Sequence, residues 1–358
     1  MFYDPQHLVD GERDLAELAD DSKATDLYAD SYIDSFSSGQ AGILFTTFLS
    51  RHAECVSQNH ELIGQVRTLL SHASAHLSST LEDYARTNND ARTDIRSIFA
   101  ELDTTDTTPP LGPTPTGHGT RGPLPATGLK APYSEMMDPA LFNILSWADW
   151  LSASGLIRKF INLVVNEIAP GTGDIFENLY AKLGGHWDQI NKVSDAWSNI
   201  ERYFVELSDE LRARMQIMFE GWGGDDALGA QQAGEYFSDV VRSLYKASDQ
   251  YWSLARLYRD IAYASWGLFQ ALWAGIDAAV DAFVAAYFEA ESIGALVLAV
   301  FDGGATAVPA AAAAIFGVVE AAASGWSQIM SLFYSLETIF SLMDAMLVDV
   351  QFVTLPEG

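Results

Sequence analysis

Only one of the 358 residues is a cysteine, Cys55, so no internal disulfide can form. A single thiol suits a reducing compartment, or a protein that folds before it is exported. Basic residues are scarce: 20 Lys and Arg stand against 48 Asp and Glu, a formal net charge of −28. Such a surface repels phosphate backbones and argues against a nucleic-acid partner. Nothing beyond Arg259 is lysine, arginine or histidine. The opening segment MFYDPQHLVDGERDLAEL has no basic stretch followed by an apolar one, so no cleavable signal peptide is expected.

Catalytic signatures are missing as well. There is no Gly-rich phosphate loop with Lys-Ser/Thr, no H-E-x-x-H, no G-x-S-x-G and no CxxC. His72 and His76 are spaced four apart but have no third ligand at a matching step. His52, Glu54 and Cys55 cluster on what reads as an exposed helical segment, without a group to orient a Cys–His pair. The expectation is a protein that is not an enzyme and uses no metal or cofactor.

What the chain does have is apolar and aromatic mass: 49% of it is hydrophobic, with 9 Trp, 19 Phe and 14 Tyr, which excludes wholesale disorder. Four stretches differ in texture. Residues 1–102 are polar, acidic and helix-prone, with weak punctuation at Ser37-Ser38-Gly39. Residues 103–135 hold seven prolines and five glycines, too many for a helix, and read as a solvated linker at a domain boundary. Residues 136–282 are aromatic-rich with a helical period, and residues 283–358 are Ala-rich and apolar.

The period is clearest from Trp187 onward, through Ile190, Val193, Trp197, Ile200, Phe204, Leu207, Leu211, Met215 and Met218. Steps of three and four residues put these on one stripe of a helix about 50 Å long. Arg202 and Asp209 face the other way, with Glu201, Arg212 and Arg214 on the flanks. After a Gly-rich break the stripe resumes through Phe237, Val240, Leu244, Tyr251, Leu254, Tyr258, Ile261, Phe269, Trp273 and Ile276, which predicts an antiparallel αα-hairpin. A further stripe from Trp326 to Met346 predicts one more long helix. In the first unit, a long helix from Ile43 to Phe99 pairs back on 5–36 through Leu8, Leu15, Leu18, Leu27, Tyr32 and Phe36. No run of alternating β-branched residues occurs, so the expected fold is all-α: an elongated bundle of two long hairpins with an Ala-rich C-terminal region.

The turn between the two long helices reads Phe219-Glu220-Gly221-Trp222-Gly223-Gly224-Asp225-Asp226. Its glycines permit a tight reversal that throws the indole outward or sideways, and its aspartates can cap the next helix. Trp222-Gly223-Gly224 between two long amphipathic helices resembles the WxG family of actinobacterial type VII (ESX) secretion substrates, including PE/PPE-like secretion-associated proteins. That resemblance implies a helical, non-catalytic protein exported without a cleavable signal. The family's second element is a tyrosine followed four positions later by an acid. Tyr84 near the end of the first hairpin holds the matching position, with Asn88 where the acid would stand, while Tyr245 and Asp249 match literally but lie mid-helix. A tyrosine and its fourth neighbour share a helix face, so either pair can be presented to a receptor. The partners implied are a type VII secretion ATPase or a dedicated chaperone, together with a small WxG-type helical partner or further copies of this chain.

Residues 283–319 supply a second candidate. The apolar arm Ile293–Phe301, with Leu296, Val297, Leu298 and Phe301, is followed by Asp302-Gly303-Gly304 and an uncharged arm carrying Ile315 and Phe316. Each arm is shorter than a bilayer span, which needs about 20 apolar residues, and no flanking Lys or Arg anchors it. A packed core hairpin is the expected arrangement. The other readings are the carrier or pore-forming half of an exported toxin, inserting this hairpin in a membrane, or an intracellular chaperone for such a toxin.

Overall fold

Four α-helices make up most of the described residues of the protein, a computed structural model that describes residues 2–3, 5–36, 46–87, 122–136, 187–220, 222–223, 227–289, 331 and 352–356. Helix α1 spans Pro5–Tyr32, α2 Thr46–Thr87, α3 Trp187–Glu220 and α4 Ala227–Glu289. Pro5 opens α1 where a missing N–H is no loss. Two-residue strands, β1 (Phe2–Tyr3) and β2 (Trp222–Gly223), form one antiparallel bridge. The expected all-α class holds, since the described residues are overwhelmingly helical.

Each hairpin folds back on itself. In the first, Ser74 Oγ of α2 donates to the Glu12 carbonyl, while His60 meets Asp26 and His52 meets the Ile33 carbonyl at the opposite end of α1. In the second, Trp187 packs on Trp266, Ser194 Oγ donates to the Ala255 carbonyl, and Phe219 meets Phe237 beside the bend. All nine stripe positions from Ile190 to Met218 on α3 are buried. Full burial of such side chains is worth about 1.5–3 kcal/mol each before the ordering entropy opposes it. The stripe positions of α4 from Phe237 to Ile261 are buried too, whereas Phe269, Trp273 and Ile276 lie outside the described side chains. At 63 residues α4 is about 95 Å long and runs past residue 282, where a boundary was expected.

The two hairpins share one continuous core. Along α1 the buried stripe is Leu8, Leu15, Leu18, Ser22, Thr25, Ala29 and Ile33, so small polar residues take core positions. The Ser22 hydroxyl donates to the Leu18 carbonyl and accepts from Tyr203, and Thr25 donates to the Asp21 carbonyl, which satisfies both away from water. Leu27 and Tyr32, expected on this face, are exposed instead, because the stripe passes through Thr25 and Ala29 and carries those two residues to the outside. Arg214, expected on a flank, is buried between α3 and α1.

The second half of the Pro/Gly-rich stretch is not simply solvated. Residues 122–136 form a strap laid over α1 and α3, with a short 3-10 turn at Pro125–Gly128 and Pro125 buried. The Ala126 amide donates to Asp21, the Tyr133 amide to Asp195, and the Lys130 carbonyl accepts from Tyr28 and Asn199. Proline-rich backbone has few donors to satisfy, so side chains of the two helices can hold it without a ladder.

Candidate functional site

The bend of the second hairpin is held from two sides. Trp222 and Gly223 pair with Tyr3 and Phe2 at the start of the chain, and the Trp222 ring stacks on Phe219 at 6.1 Å with 17° between planes. The indole is half-buried, neither sealed in the core nor displayed free. Its Nε1–H is buried and meets no acceptor among the described residues. A buried donor without a partner costs about 1–3 kcal/mol, which an incoming acceptor would relieve. Gly224 lies outside the described residues.

Beside the bend α2 and α4 part, leaving a groove of 840 Å³ lined by Leu77 and Thr80 of α2, Met218, Trp222, Tyr236 of α4 and Leu355. The C-terminal segment 352–356 lies along it: Phe352 packs on Tyr251 at 4.8 Å, the Val353 amide donates to Gln250, and Leu355 is buried. Further down, α2 and α4 are bridged by His52–Tyr258 and Asn59–Tyr251. Tyr84 lies about one turn along α2 beyond Thr80, the last residue of that helix to line the groove. Tyr84 belongs to α2, but its side chain lies outside what is described, as does all of Asn88.

Tyr245 and Asp249 sit elsewhere. Tyr245 is roughly 27 Å along α4 from its start at the bend. Its hydroxyl donates to Asp209 of α3, and the Arg212 guanidinium lies 5.1 Å from its ring centre. The Asp209 carboxylate, with a little burial, raises the Tyr245 pKa, so the proton stays on the hydroxyl. Asp249 is exposed. This pair and Trp222 are not brought together.

The apolar arm residues Leu296, Val297, Leu298, Phe301, Ile315 and Phe316 lie outside the described residues, as does the Trp326–Met346 stripe apart from Ser331. Among the described residues no helix is long and apolar enough to cross a membrane.

Three polar clusters take their partners from the fold. Cys55 is a buried thiol, and His52 is buried too although its segment reads as exposed: His52 Nε2–H donates to the Ile33 carbonyl, which leaves Nδ1 to accept from the Tyr258 hydroxyl at 2.7 Å. Burial lowers the His52 pKa to about 4 and raises that of Cys55 to about 11, so neither is charged near neutrality. Arg214 binds Asp14 at 3.2 Å, Glu17 at 3.1 Å and Glu210 at 2.7 Å. His60 stands amid Asp26, Asp30 and Asp34. Partial burial opposes its charged form, but the bonds and charges of Asp26 and Asp34 outweigh that and raise its pKa. A buried ring with its two nitrogens engaged has no free lone pair for nucleophilic or proton-transfer work, so the His52–Cys55 neighbourhood is structural.

No family model matches the chain, and neither does any curated protein or solved structure.

Proposed function

We propose that this chain is an exported, non-catalytic helical interaction protein of the WxG type, recognised by type VII secretion machinery through a composite surface at one end of its bundle. One observation carries the reading: the hairpin bend bearing Trp222 and the last described turns of α2, which lead to Tyr84, line a single groove. The half-buried indole with an unmatched N–H supports it, because such a group has affinity left for an acceptor on a partner. The tether of Tyr245 to Asp209 within its own hairpin favours Tyr84 as the tyrosine of the signal. The partner is a secretion ATPase or dedicated chaperone that reads the groove end. Docking there needs no reaction, and no catalytic role falls on Trp222, Gly223, Tyr84 or Asn88.

The test compares culture medium with cell lysate for Trp222→Ala, Tyr84→Ala and Tyr245→Ala. Export should fall several-fold for the first two and hold for the third. The Trp222→Ala protein should keep its helical CD spectrum and lose only about 1 kcal/mol of stability, as expected for a half-buried ring. Undiminished export of Trp222→Ala, or its collapse to an unfolded chain, overturns the reading. Retention of the wild type in lysate with leakage of vesicles by purified protein would point to the toxin-related roles instead.

A further inference from the structure

We infer that Asp30, Asp34 and His60 form a binding site for a divalent transition cation of the zinc class, which clamps the end of α1 to the middle of α2. One carboxylate oxygen from each aspartate and one ring nitrogen of His60 lie within 4.8 Å of one another. His60 Nε2 is 3.3 Å from both Asp34 oxygens and 3.6 Å from Asp30 Oδ1. Zinc holds nitrogen and carboxylate oxygen at about 2.0–2.2 Å, so the edge of its tetrahedron is about 3.3–3.6 Å. These spacings therefore suit ligand atoms gathered around one small cation.

The outer side of the ring is already arranged for that role. His60 Nδ1 lies 2.6 Å from Asp26 Oδ1, so with Nδ1–H donating to Asp26 the lone pair of Nε2 faces Asp30 and Asp34. A carboxylate behind a histidine is the common support of a metal-binding imidazole: it fixes the tautomer and raises the basicity of the ligating nitrogen. The mixed nitrogen and oxygen donors come from two helices, so the site requires the folded hairpin. Asp26 and Asp30 stand four apart on one face of α1, where like charges disfavour the helix, and Asp34 follows at the same step just beyond its end. Among the described residues His60 is their one ion-pair partner. A dication supplies twice the charge of an imidazolium at the same point. Asp34 sits just past the end of α1, in the turn whose amides close on the Ala29 carbonyl, and that position lets its carboxylate swing toward His60. Three protein ligands leave a fourth position to water or to a group on a partner.

Zinc chloride titrated into the full chain, followed calorimetrically in a non-chelating buffer, tests the site. The expected result is one saturable equivalent. Cobalt(II) in its place should give the visible bands of a four-coordinate ion. Asp30→Asn and His60→Gln should abolish the saturable step, and Asp26→Asn should weaken it by about 10–100-fold, as loss of a supporting carboxylate does. Asp239→Asn, at an acid paired with Arg242, should bind as the wild type does. The Asp30 side chain is 54% exposed, so its loss will not unfold the chain, and a helical CD spectrum confirms that each variant is folded. Heat spread over many weak sites, or full zinc binding by folded Asp30→Asn, overturns the proposal.

Discussion

Where α1 meets α3 the hairpins are closed, whereas where α2 meets α4 they are bridged and then part. On the α1–α3 side the buried positions include Gly11, Ser22, Thr25 and Ala29, small enough for the backbones to approach. Charge is sealed in with them at Arg214, and the 122–136 strap covers the outer edge. On the α2–α4 side long side chains reach across: His52 to Tyr258 and Asn59 to Tyr251. Toward the bend no such bridge between α2 and α4 is found among the described residues, and the space between them is the groove at Trp222. Residue size at the seam thus decides which side of the bundle is packed and which has room for a partner.

The closed side breaks most severely at Arg214. Its side chain is 3% exposed and that of Asp14 is 7% exposed, so removing the guanidinium takes a cationic partner from a buried carboxylate. Arg214→Ala should cost about 3–5 kcal/mol in urea unfolding. Joint replacement, Arg214→Met with Asp14→Leu, should recover more than half of that loss, because an apolar pair needs no counter-charge. Failure to recover would show that Glu17 and Glu210 depend on Arg214 as much as Asp14 does.

The bridged side breaks with acid. His52 is neutral in the folded chain with its pKa lowered to about 4 by burial, against 6.5 when unfolded. The unfolded chain therefore takes up the proton first. His52 contributes its full stability above pH 6.5, loses it as the pH falls, and has lost about 3 kcal/mol by pH 4. Glu12 and Asp21, whose pKa values burial raises, push the other way at low pH, so the effect is read as a difference between two proteins. Wild-type stability minus that of His52→Gln should shrink by about 3 kcal/mol between pH 7 and pH 4. A difference that stays constant would mean that the ring is charged in place.

What the sequence disclosed follows the same divide. The α3 stripe is wholly apolar, so its period, its length and its hairpin partner were legible. The α1 stripe was legible only in part: Leu8, Leu15, Leu18 and Phe36 are buried as expected, but Ser22 and Thr25 count as polar in any hydropathy pattern and yet are fully buried behind their own hydrogen bonds. That gap is what drew Leu27 and Tyr32 onto the wrong face. The position of Trp222 at a bend was readable from its glycines, while the Phe219 stack and the bridge to Tyr3 depend on tertiary contacts with no local signature. Asp26, Asp30 and Asp34 carry a helical spacing, but in a chain with 48 acids that spacing is common. Only the fold brings His60, 26 residues beyond Asp34, to its centre.

Two glycines give the gentlest and sharpest contrast between the seams. A Cβ built on Gly11 of α1 would lie 2.7 Å from both Cγ and Sδ of Met218 and 3.2 Å from its Cβ, whereas one built on Gly64 of α2 meets nothing within 4 Å. Alanine in place of a helical glycine ordinarily gains up to about 1 kcal/mol. Gly64→Ala should gain that in full, since its side faces the groove. For Gly11→Ala the clash includes Met218 atoms close to the backbone, which a change of rotamer at the far end of the chain does not clear. Overpacking of this kind costs about 1–3 kcal/mol, enough to cancel or reverse the gain, so the variant should be less stable than wild type by about 1 kcal/mol. Adding Met218→Ala to Gly11→Ala should restore the helix gain while losing Met218's own burial. If Gly11→Ala alone stabilises the protein as much as Gly64→Ala does, the α1–α3 seam is no tighter than the groove side, and residue size is not what separates the two.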